Sequence, residues 1–437
     1  MKIVALCGLL GYGYDENSLK NAFMEKVDYL GVDAGSTDPG PYYLGSGKSF
    51  TDRNAVKRDL SLALPLALKN KTPFIIGTAG GAGSKEHVFW LKDIIFEIAS
   101  EQGLHFSLGT VYSDVSKKYV LEKLKSGKVI NMSNYFPLSE TAIEKSEKIV
   151  SQIGVAPIIE LLEKQVDVIV CGRACDTAIY AAPLIKNGYD EGLAFHMAKI
   201  MECGAMCSEP VAAADVMQAY VYDGYFELTP ANPIRRCTVE RVAAHTLYEQ
   251  SNPYLIFEPD GVVDLHDCVF EQVSERTVRV KGSRFTPAKD KTLKLEGVKK
   301  SGYRTVSPAV INDPLTIEEL PKIINTVNEF VKENVKNTIN DGDYNLAYKT
   351  AGGKESSLSI IIDVVAKTQE IADTVCALAR SRMLHCDYVG RKSSAGNLAF
   401  PFSPSDIHVG EVYEFSIFHL VKVGNLKETS VCEVENV

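Results

Sequence analysis

The sequence lacks the features that are typical of nucleic-acid-binding, membrane and disulfide-rich proteins. It has no run of basic residues and its net charge is -9. A nucleic-acid partner, which needs a basic surface, is therefore not expected. No apolar segment is long enough to span a membrane, so no membrane partner is expected. The 10 cysteines among 437 residues are too dilute for a disulfide scaffold. That dilution favours a reducing, cytoplasmic setting.

The first half of the chain alternates strand-like and helix-like patterns. The apolar amino terminus lacks the cleavage site of a signal peptide and is better interpreted as a first strand. Strands are predicted over residues 2–7, 27–33, 73–78, 105–111, 128–132 and 166–171. Helices are predicted over residues 54–70, 85–102, 115–126, 139–151, 157–164, 177–186 and 193–207. This alternation predicts an α/β fold with a doubly wound, mostly parallel, Rossmann-like sheet.

After about residue 210 the pattern becomes that of half-exposed antiparallel strands. Strands are predicted over 218–228, 262–265, 275–281, 293–296 and 411–421, and helices over 317–335 and 367–384. The chain is also too long for one ordinary core. We therefore predict an α/β domain over 1–210 that carries the site, and an α+β domain over 211–437 that closes the cleft.

The segment 166–185, VDVIVCGRACDTAIYAAPLI, indicates where a site lies. A buried apolar strand breaks at Gly172, and Arg173 and Asp176 follow before a helix begins. Ligands in open α/β sheets bind at such carboxyl ends of strands. A buried guanidinium must be paired, so Arg173 either binds an anionic substrate or forms a structural pair with Asp176.

The loop after the second predicted strand carries a second group of polar side chains, namely Asp33, Ser36, Thr37 and Asp38. Such a loop can bind an anion through its amides or a divalent metal such as Mg²⁺ through Asp33 and Asp38. The alternative is an ordinary turn, because the same residue types form turns. Its length of about twenty residues favours a functional loop.

A glycine-rich turn follows the third predicted strand and leads into a helix. Its candidate ligand-binding residues are Gly80, Gly81, Ser84 and Lys85. A helix amino terminus of this kind can bind a carboxylate or a CoA phosphate, and the alternative is close packing of helix on sheet. The first turn also contains Gly8, Gly11 and Gly13, but this spacing departs from the dinucleotide fingerprint.

Three further features complete the candidate site. Glu202 and His196 lie on one predicted helix, but their spacing allows at most one of them to face inward. The pairs Cys171/Cys175 and Cys203/Cys207 have the wrong spacing for a zinc site. The loop 393–406 contains too many apolar residues for a linker. It is predicted to pack across the interdomain cleft, which makes Asn397 a candidate substrate-binding residue.

Several motifs resemble the acyclic terpene utilisation (AtuA) family. The segments CGRACDTAIYAAPL and ECGA are similar to typical family motifs, and Gly172, Arg173, Asp176, Glu202, Cys203 and Gly204 match them. The resemblance implies breakdown of branched acyl-CoA or related organic acids by a lyase or hydratase. The segment DAGSTDPGPYYLG differs from the usual family loop, so a terpene-derived substrate is not assumed. Many members carry an extra small ferredoxin-like domain. This chain is not expected to contain one, so the resemblance implies a separately encoded small partner.

The leading hypothesis is a lyase or hydratase/dehydratase that acts on a hydroxy or unsaturated carboxylate, free or as its CoA thioester. Arg173 would clamp the substrate, and Asp33, Asp38, Asp176 and Glu202 would form the catalytic group. One alternative is an NAD(P)-dependent oxidoreductase that uses the first glycine turn. The other is a non-catalytic subunit completed by the small ferredoxin-like partner. A homo-oligomer is expected in each case.

Overall fold

The computed structural model describes residues 1–132, 136–353, 356–391, 395–401 and 403–437. It is a mixed α/β fold, and its described part contains twelve α-helices. The helices are α1 (Glu16–Ala22), α2 (Pro41–Ser46), α3 (Arg53–Lys69), α4 (Lys85–Gln102), α5 (Lys117–Lys125), α6 (Glu140–Lys145), α7 (Ala156–Glu163), α8 (Ala178–Lys186), α9 (Glu191–Met201), α10 (Val239–Thr246), α11 (Pro314–Val335) and α12 (Gln369–His385). Within these residues no helix combines the length and the apolarity needed to cross a membrane.

The strands are β1 (Lys2–Ala5), β2 (Tyr29–Val32), β3 (Phe74–Ile76), β4 (Ser107–Tyr112), β5 (Val129–Asn131), β6 (Lys148–Gln152), β7 (Val168–Cys171), β8 (Ser208–Glu209), β9 (Met217–Val221), β10 (Tyr225–Pro230), β11 (Arg236–Cys237), β12 (Leu255–Phe257), β13 (Gly261–Asp264), β14 (Val269–Gln272), β15 (Val278–Lys281), β16 (Arg284–Pro287), β17 (Thr292–Ile311), β18 (Tyr344–Gly352), β19 (Leu358–Ala366), β20 (Ile407–Lys422) and β21 (Val431–Asn436). Most of them belong to two large mixed sheets.

The chain forms two compact units, residues 1–299 with 415–437, and residues 300–414. The boundaries between these units lie after residues 299 and 414 and do not coincide with the predicted boundary near residue 210. In the larger unit β9 pairs antiparallel with β1, and β10 pairs with β9. Strands on both sides of residue 210 therefore share one sheet.

The larger unit is built on a ten-stranded sheet of order β14-β15-β10-β9-β1-β2-β3-β7-β4-β21. Its central strands β1, β2, β3, β7 and β4 are parallel to one another, whereas β9 and β21 flank them antiparallel. Alternate residues of β1 enter different cores. Ile3 packs in the core that includes α7, α8 and α9. Val4 packs in the core that includes α1, α3 and α4. Since successive side chains of a strand point to opposite faces, helices cover both faces of this sheet.

Close contacts set the depth of the helices on the sheet. A Cβ at Gly31 of β2 would lie 2.5 Å from Tyr180 Cε1 on α8, so glycine lets the buried Tyr180 ring lie directly on the strand.

Helix α3 begins where Asp52 Oδ1 accepts the N–H groups of Asn54 and Ala55. Such a cap satisfies amides that the first helical turn leaves free.

Two predictions about the first half need correction. The predicted helix over 139–151 is wrong after residue 145, because β6 follows α6 and pairs antiparallel with residues 294–298 of β17. The predicted strand over 128–132 exists as β5, but it pairs antiparallel with β20 and lies outside the parallel sheet. In both cases the partner strand lies far along the chain, where local periodicity carries no information.

The smaller unit contains α11, α12 and an antiparallel sheet. In it β19 pairs with β18 and with residues 303–311 of β17. Apolar side chains of the two helices and of the strands form one core, with Val327, Ile362 and Val375 fully buried. This unit thus combines helices with antiparallel strands.

Candidate functional site

A cavity of about 320 Å³ opens in the larger unit where β1, β2 and β7 end. Its lining includes Gly8 and Leu9 after β1, Asp176 after β7, and four residues after β2, namely Asp33, Gly35, Ser36 and Asp38. Glu202, Cys203 and Met206 come from the region after α9, and Tyr248 and Glu249 from the region after α10. The carboxyl ends of parallel strands are the usual ligand position in such sheets.

Asp33 is one of two deeply buried carboxyls of this lining, with Glu202. Asp33 is 6% exposed, its Oδ2 accepts the N–H of Gly35 at 3.2 Å, and its Oδ1 has no partner among the described residues. Burial raises the pKa of Asp33 well above its usual range, and the charge of Asp176 adds to this while that of Arg173 opposes it. Such a carboxyl holds a proton at pH values where an ordinary aspartate has lost it.

Arg173 is held inside the protein by its own contacts. Its Nε donates to Glu296 Oε2 at 2.8 Å and its Nη1 to the Ala174 carbonyl at 2.7 Å, while Asp176 Oδ1 lies 3.5 Å from Nη1. Arg173 is 2% exposed and is not among the residues that line the cavity. These contacts favour the structural alternative, in which Arg173 orients Asp176, over a substrate clamp.

Glu296 is the buried counter-charge of this arginine. Burial by itself raises the pKa of Glu296, but the charges of Arg173 and Lys294 bring this pKa down to about 2. A carboxylate paired in this way stays ionised throughout the range in which proteins fold. Sequence reasoning missed Glu296, because its place opposite Arg173 depends on a strand more than a hundred residues downstream.

Glu202 lies just after α9 in contact with Lys199. Lys199 Nζ donates to Glu202 Oε1, and both side chains are at least nine-tenths buried. Burial raises the pKa of Glu202 to about 8, with Lys199 lowering it and Asp176 raising it. Lys199 could have been predicted as the partner of Glu202, because residues three apart on a helix are neighbours on its surface. His196 lies in the core, where its ring nitrogens contact Ser283 and Thr246.

A further carboxyl, Glu258, supports the loop that carries Asp176. The side chains on both sides of Asp176 donate to Glu258 Oε2, Thr177 Oγ1 at 2.7 Å and Cys175 Sγ at 3.2 Å. Burial raises the pKa of Glu258 to about 7. Sequence reasoning missed this residue. The available signal was an acidic pair around a proline, Glu258 and Asp260, in a polar turn.

The turn after β3 serves close packing in this structure. Ser84 Oγ contacts Glu86 and His87 within α4, and Lys85 Nζ lies over the rings of Phe89 and Tyr112. The predicted ligand residues Gly80, Gly81, Ser84 and Lys85 are not among those that line the cavity. Gly81 instead touches the Asp33 loop, since a Cβ at Gly35 would lie 2.3 Å from Gly81 Cα.

A substitution at Gly83 would show how tightly this turn packs. The φ of Gly83 is +67°, and an added Cβ would lie 2.2 Å from the Arg173 backbone nitrogen. Gly103 has φ +61° with nothing within 4 Å of such a Cβ. We expect Gly103→Ala to cost about 1–2 kcal/mol through backbone strain alone, and Gly83→Ala about 1–3 kcal/mol more through the clash. Urea unfolding measures both, and equal losses would contradict this packing.

The glycine turn after β1 already has an internal anion. The N–H groups of Gly11 and Gly13 both donate to Asp59 Oδ2, at 2.9 and 3.1 Å. A Cβ at Gly8 would lie 2.9 Å from the Cys203 carbonyl oxygen, so protein backbone occupies the space that this glycine leaves open. Amides that would receive a dinucleotide phosphate thus bind a carboxylate of α3, and the geometry does not favour a nicotinamide site here.

The remaining predicted residues fall into two places. Ser36 lines the cavity and its Oγ donates to Asp38 Oδ2 at 2.7 Å, while Thr37 is buried beside them. Asn397 belongs to the smaller unit, where its Nδ2 donates to the carbonyls of Met383 and Cys386. Residues 393, 394 and 402 of the predicted loop lie outside the described residues.

The metal hypothesis needs several oxygen ligands that converge. In the described parts of the chain, no three histidine, cysteine, aspartate or glutamate side chains are placed to hold a metal ion. Asp33 Oδ2 and Asp38 Oδ2 each accept a hydrogen bond from their own loop. The arrangement therefore does not fit a preformed Mg²⁺ cage, and no step is derived through a metal. All ten cysteines are free.

A comparison with protein families bears on the motif around Arg173. The model of the family described as "Acyclic terpene utilisation family protein AtuA" matches residues 48–386. This chain belongs to the AtuA family. The match confirms the resemblance and contains Arg173, Asp176 and Glu202, whereas Asp33 and Asp38 precede it. No curated protein and no solved structure matches the chain.

Glu258 predicts how the stability of this AtuA-family chain depends on pH. Its pKa of about 7 in the fold exceeds the ordinary 4.5, so the folded state holds an extra proton between these values and loses stability as the pH rises through them. Glu258→Gln keeps an acceptor for Thr177 and removes the charge. At about pH 8 we expect a gain of about 1–3 kcal/mol over wild type, and at about pH 4 no difference.

Urea unfolding across that pH range measures this effect. Glu240→Gln, at an exposed position of α10, is the matched control and should leave the profile unchanged. A Glu258→Gln variant that is less stable than wild type at about pH 8 would mean that the charged form is the stabilising one.

Proposed function

We propose that this AtuA-family protein is an enzyme of branched organic-acid or acyl-CoA catabolism that uses carboxyl groups as acid and base. The reaction is a hydration, a dehydration or a related lyase step on a hydroxy or unsaturated carboxylate or its CoA thioester. The observation that carries this proposal is that Asp33, Asp176 and Glu202 line one cavity at the strand ends. The family description, acyclic terpene utilisation, supports a branched substrate.

The environments of the carboxyls suggest their roles. Asp33 has an oxygen without a partner and a pKa raised by burial, so we assign it the donor that protonates a leaving hydroxyl. Burial raises the pKa of Asp176, but the guanidinium of Arg173 beside it opposes this and favours the ionised form, so we assign Asp176 the base that removes a proton from carbon. Glu202, held by Lys199, keeps a second proton nearby. General acid and base groups need such differently tuned environments.

The arrangement of the sheet supports the predicted position of the site. We propose that β1, β2, β3, β7 and β4 form a doubly wound, Rossmann-like core, because they are parallel and helices cover both faces. In that topology β7 returns between β3 and β4, and the Asp176 loop lies at the carboxyl end of this strand. A cytoplasmic location, a homo-oligomer and a separate ferredoxin-like partner remain proposals.

A turnover assay in deuterated water tests the proposed function. The purified chain is incubated with branched hydroxyacyl and enoyl CoA thioesters whose hydroxyl or double bond lies either at the β carbon or at the branched end, and with the matching free acids. The products are analysed by mass spectrometry. We expect loss or gain of one water, with deuterium at the carbon that receives the proton. If neither water exchange nor deuterium incorporation occurs with any compound, the enzyme proposal is wrong and the non-catalytic alternative gains.

A further inference from the structure

The lining of the candidate site is acidic and has no basic side chain. Five carboxyl residues contribute to it, Asp33, Asp38, Asp176, Glu202 and Glu249. Among the described lining residues there is no lysine or arginine. An anionic group that entered the cavity would pass the exposed carboxyls of Asp38 and Glu249 without meeting a compensating cation in the lining, and such like-charge contacts act against binding.

The two buried cations that contact carboxyls of the lining, Arg173 and Lys199, are already engaged. Arg173 donates to Glu296 and to the Ala174 carbonyl, and Lys199 donates to Glu202. Redirecting Arg173 to a substrate carboxylate would leave the Glu296 carboxylate buried without its partner, which is costly. Redirecting Lys199 would leave the buried Glu202 without its donor. Neither cation is therefore free to recognise an anionic substrate group in this cavity.

The other lining residues favour an uncharged, apolar group. Leu9, Tyr12, Pro39, Phe50 and Met206 contribute apolar surface, and methionine adapts its shape to irregular ligands. The volume of about 320 Å³ lies at the small end of the roughly 300–1,000 Å³ of ligand pockets. The cavity thus suits a short branched chain better than a whole CoA thioester.

One feature indicates that something polar binds among these apolar residues. Asp33, which lines the cavity, is more than nine-tenths buried, and its Oδ1 has no partner in the described part of the chain. Buried polar atoms normally have a partner, and a substrate hydroxyl would supply one.

We infer that the cavity binds the uncharged, branched hydrocarbon end of the substrate, which carries the reacting hydroxyl or double bond, while the carboxylate or thioester end stays outside it. The inference rests on the proposed function, because it places the reacting group beside Asp33 and Asp176. It replaces the anion clamp that the position of Arg173 first suggested. The substrate class is thus an acid whose reacting carbon atoms are remote from its charge.

Three small molecules with one branched skeleton test the inference. Isoamyl alcohol is neutral, isovalerate is an anion and isoamylamine is a cation. At about pH 8 and low salt we expect calorimetry to detect the alcohol with an affinity at least about tenfold above that of isovalerate. Isovalerate binding as tightly as the alcohol would overturn the inference. So would an amine more than about tenfold tighter than the alcohol, because the site would then select cations.

Variants show whether the cavity itself binds the alcohol. Met206→Trp fills the cavity and should abolish binding, whereas Met24→Trp, at an 82% exposed position, should leave it unchanged. Loss of the two exposed lining carboxylates in Asp38→Asn/Glu249→Gln should raise the affinity for isovalerate about tenfold relative to that for the alcohol. An unchanged ratio of these two affinities in the folded variant would contradict the charge argument.

The inference and the proposed function can fail separately. If the alcohol binds selectively but no thioester or acid is turned over, the inference holds and the enzyme proposal fails. If branched substrates are turned over but alcohol and isovalerate bind equally, the enzyme proposal holds and the inference fails.

Discussion

Replacing Glu296 by alanine should destabilise the fold by about 3–5 kcal/mol, because it leaves the guanidinium of Arg173 buried without a counter-charge. Glu296 is fully buried and its Oε2 accepts from Arg173 Nε at 2.8 Å. An arginine cannot escape the penalty by losing its proton. Lys294, 2.7 Å from Glu296 Oε1, loses its partner as well.

Urea unfolding at neutral pH measures this loss. Glu101→Ala, which removes a half-exposed carboxylate paired with Lys57 at 2.6 Å, is the matched control and should cost at most about 1 kcal/mol. The double variant Arg173→Met/Glu296→Met should recover much of the loss, since replacing a buried pair is far less costly than breaking it. If Glu296→Ala costs no more than Glu101→Ala, then Arg173 has another partner and is available to bind substrate.

Removing either protonated carboxyl should remove most of the activity. We expect Asp33→Asn and Glu202→Gln each to lower kcat about 10²–10⁴-fold on a substrate that wild type converts, the range for loss of a general acid or base. Both substitutions preserve size and remove the transferable proton, and both sites are buried. Circular dichroism should show the fold unchanged.

The pH dependence of kcat separates these two residues from structural ones. With Glu202 acting in its protonated form and its pKa about 8, activity should fall above that pH because the proton is then lost. Asp93→Asn, on α4 and outside the cavity lining, is the control and should keep wild-type kcat and pH profile. Retention of full activity by Asp33→Asn would show that the assigned donor is wrong.

Local sequence patterns could predict a candidate site at the strand ends because strand ends are local features. The apolar run before Gly172 and the turn after Val32 both end at the sheet edge that lines the cavity. Two side chains placed there by strand position, Asp33 and Asp176, line it together. The apolar periodicity of α3 and α4 was also sufficient, since each helix buries one face against the sheet.

Partners far along the chain were beyond such reasoning. The pairing of Arg173 with Glu296, of Thr177 with Glu258 and of Gly11 with Asp59 joins segments that only the tertiary structure brings together. The same reason explains β6, where a charged segment that favours a helix becomes a strand because β17 supplies its partner. For this reason the contacts of Arg173 favour a structural role over the predicted clamp, whereas Asp176 lies at the strand end where the sequence predicted it.

A titration of the side-chain carboxyl carbons by NMR tests the central claim most directly, with Glu202 assigned by its absence in Glu202→Gln. The claim is that carboxyls gathered at the strand ends keep protons near neutral pH. We predict that the Glu202 signal titrates with a pKa of about 8 and that Asp33, assigned in the same way, titrates well above the ordinary range of aspartate. Titration of both groups near 4, as in exposed carboxyls, would contradict the account.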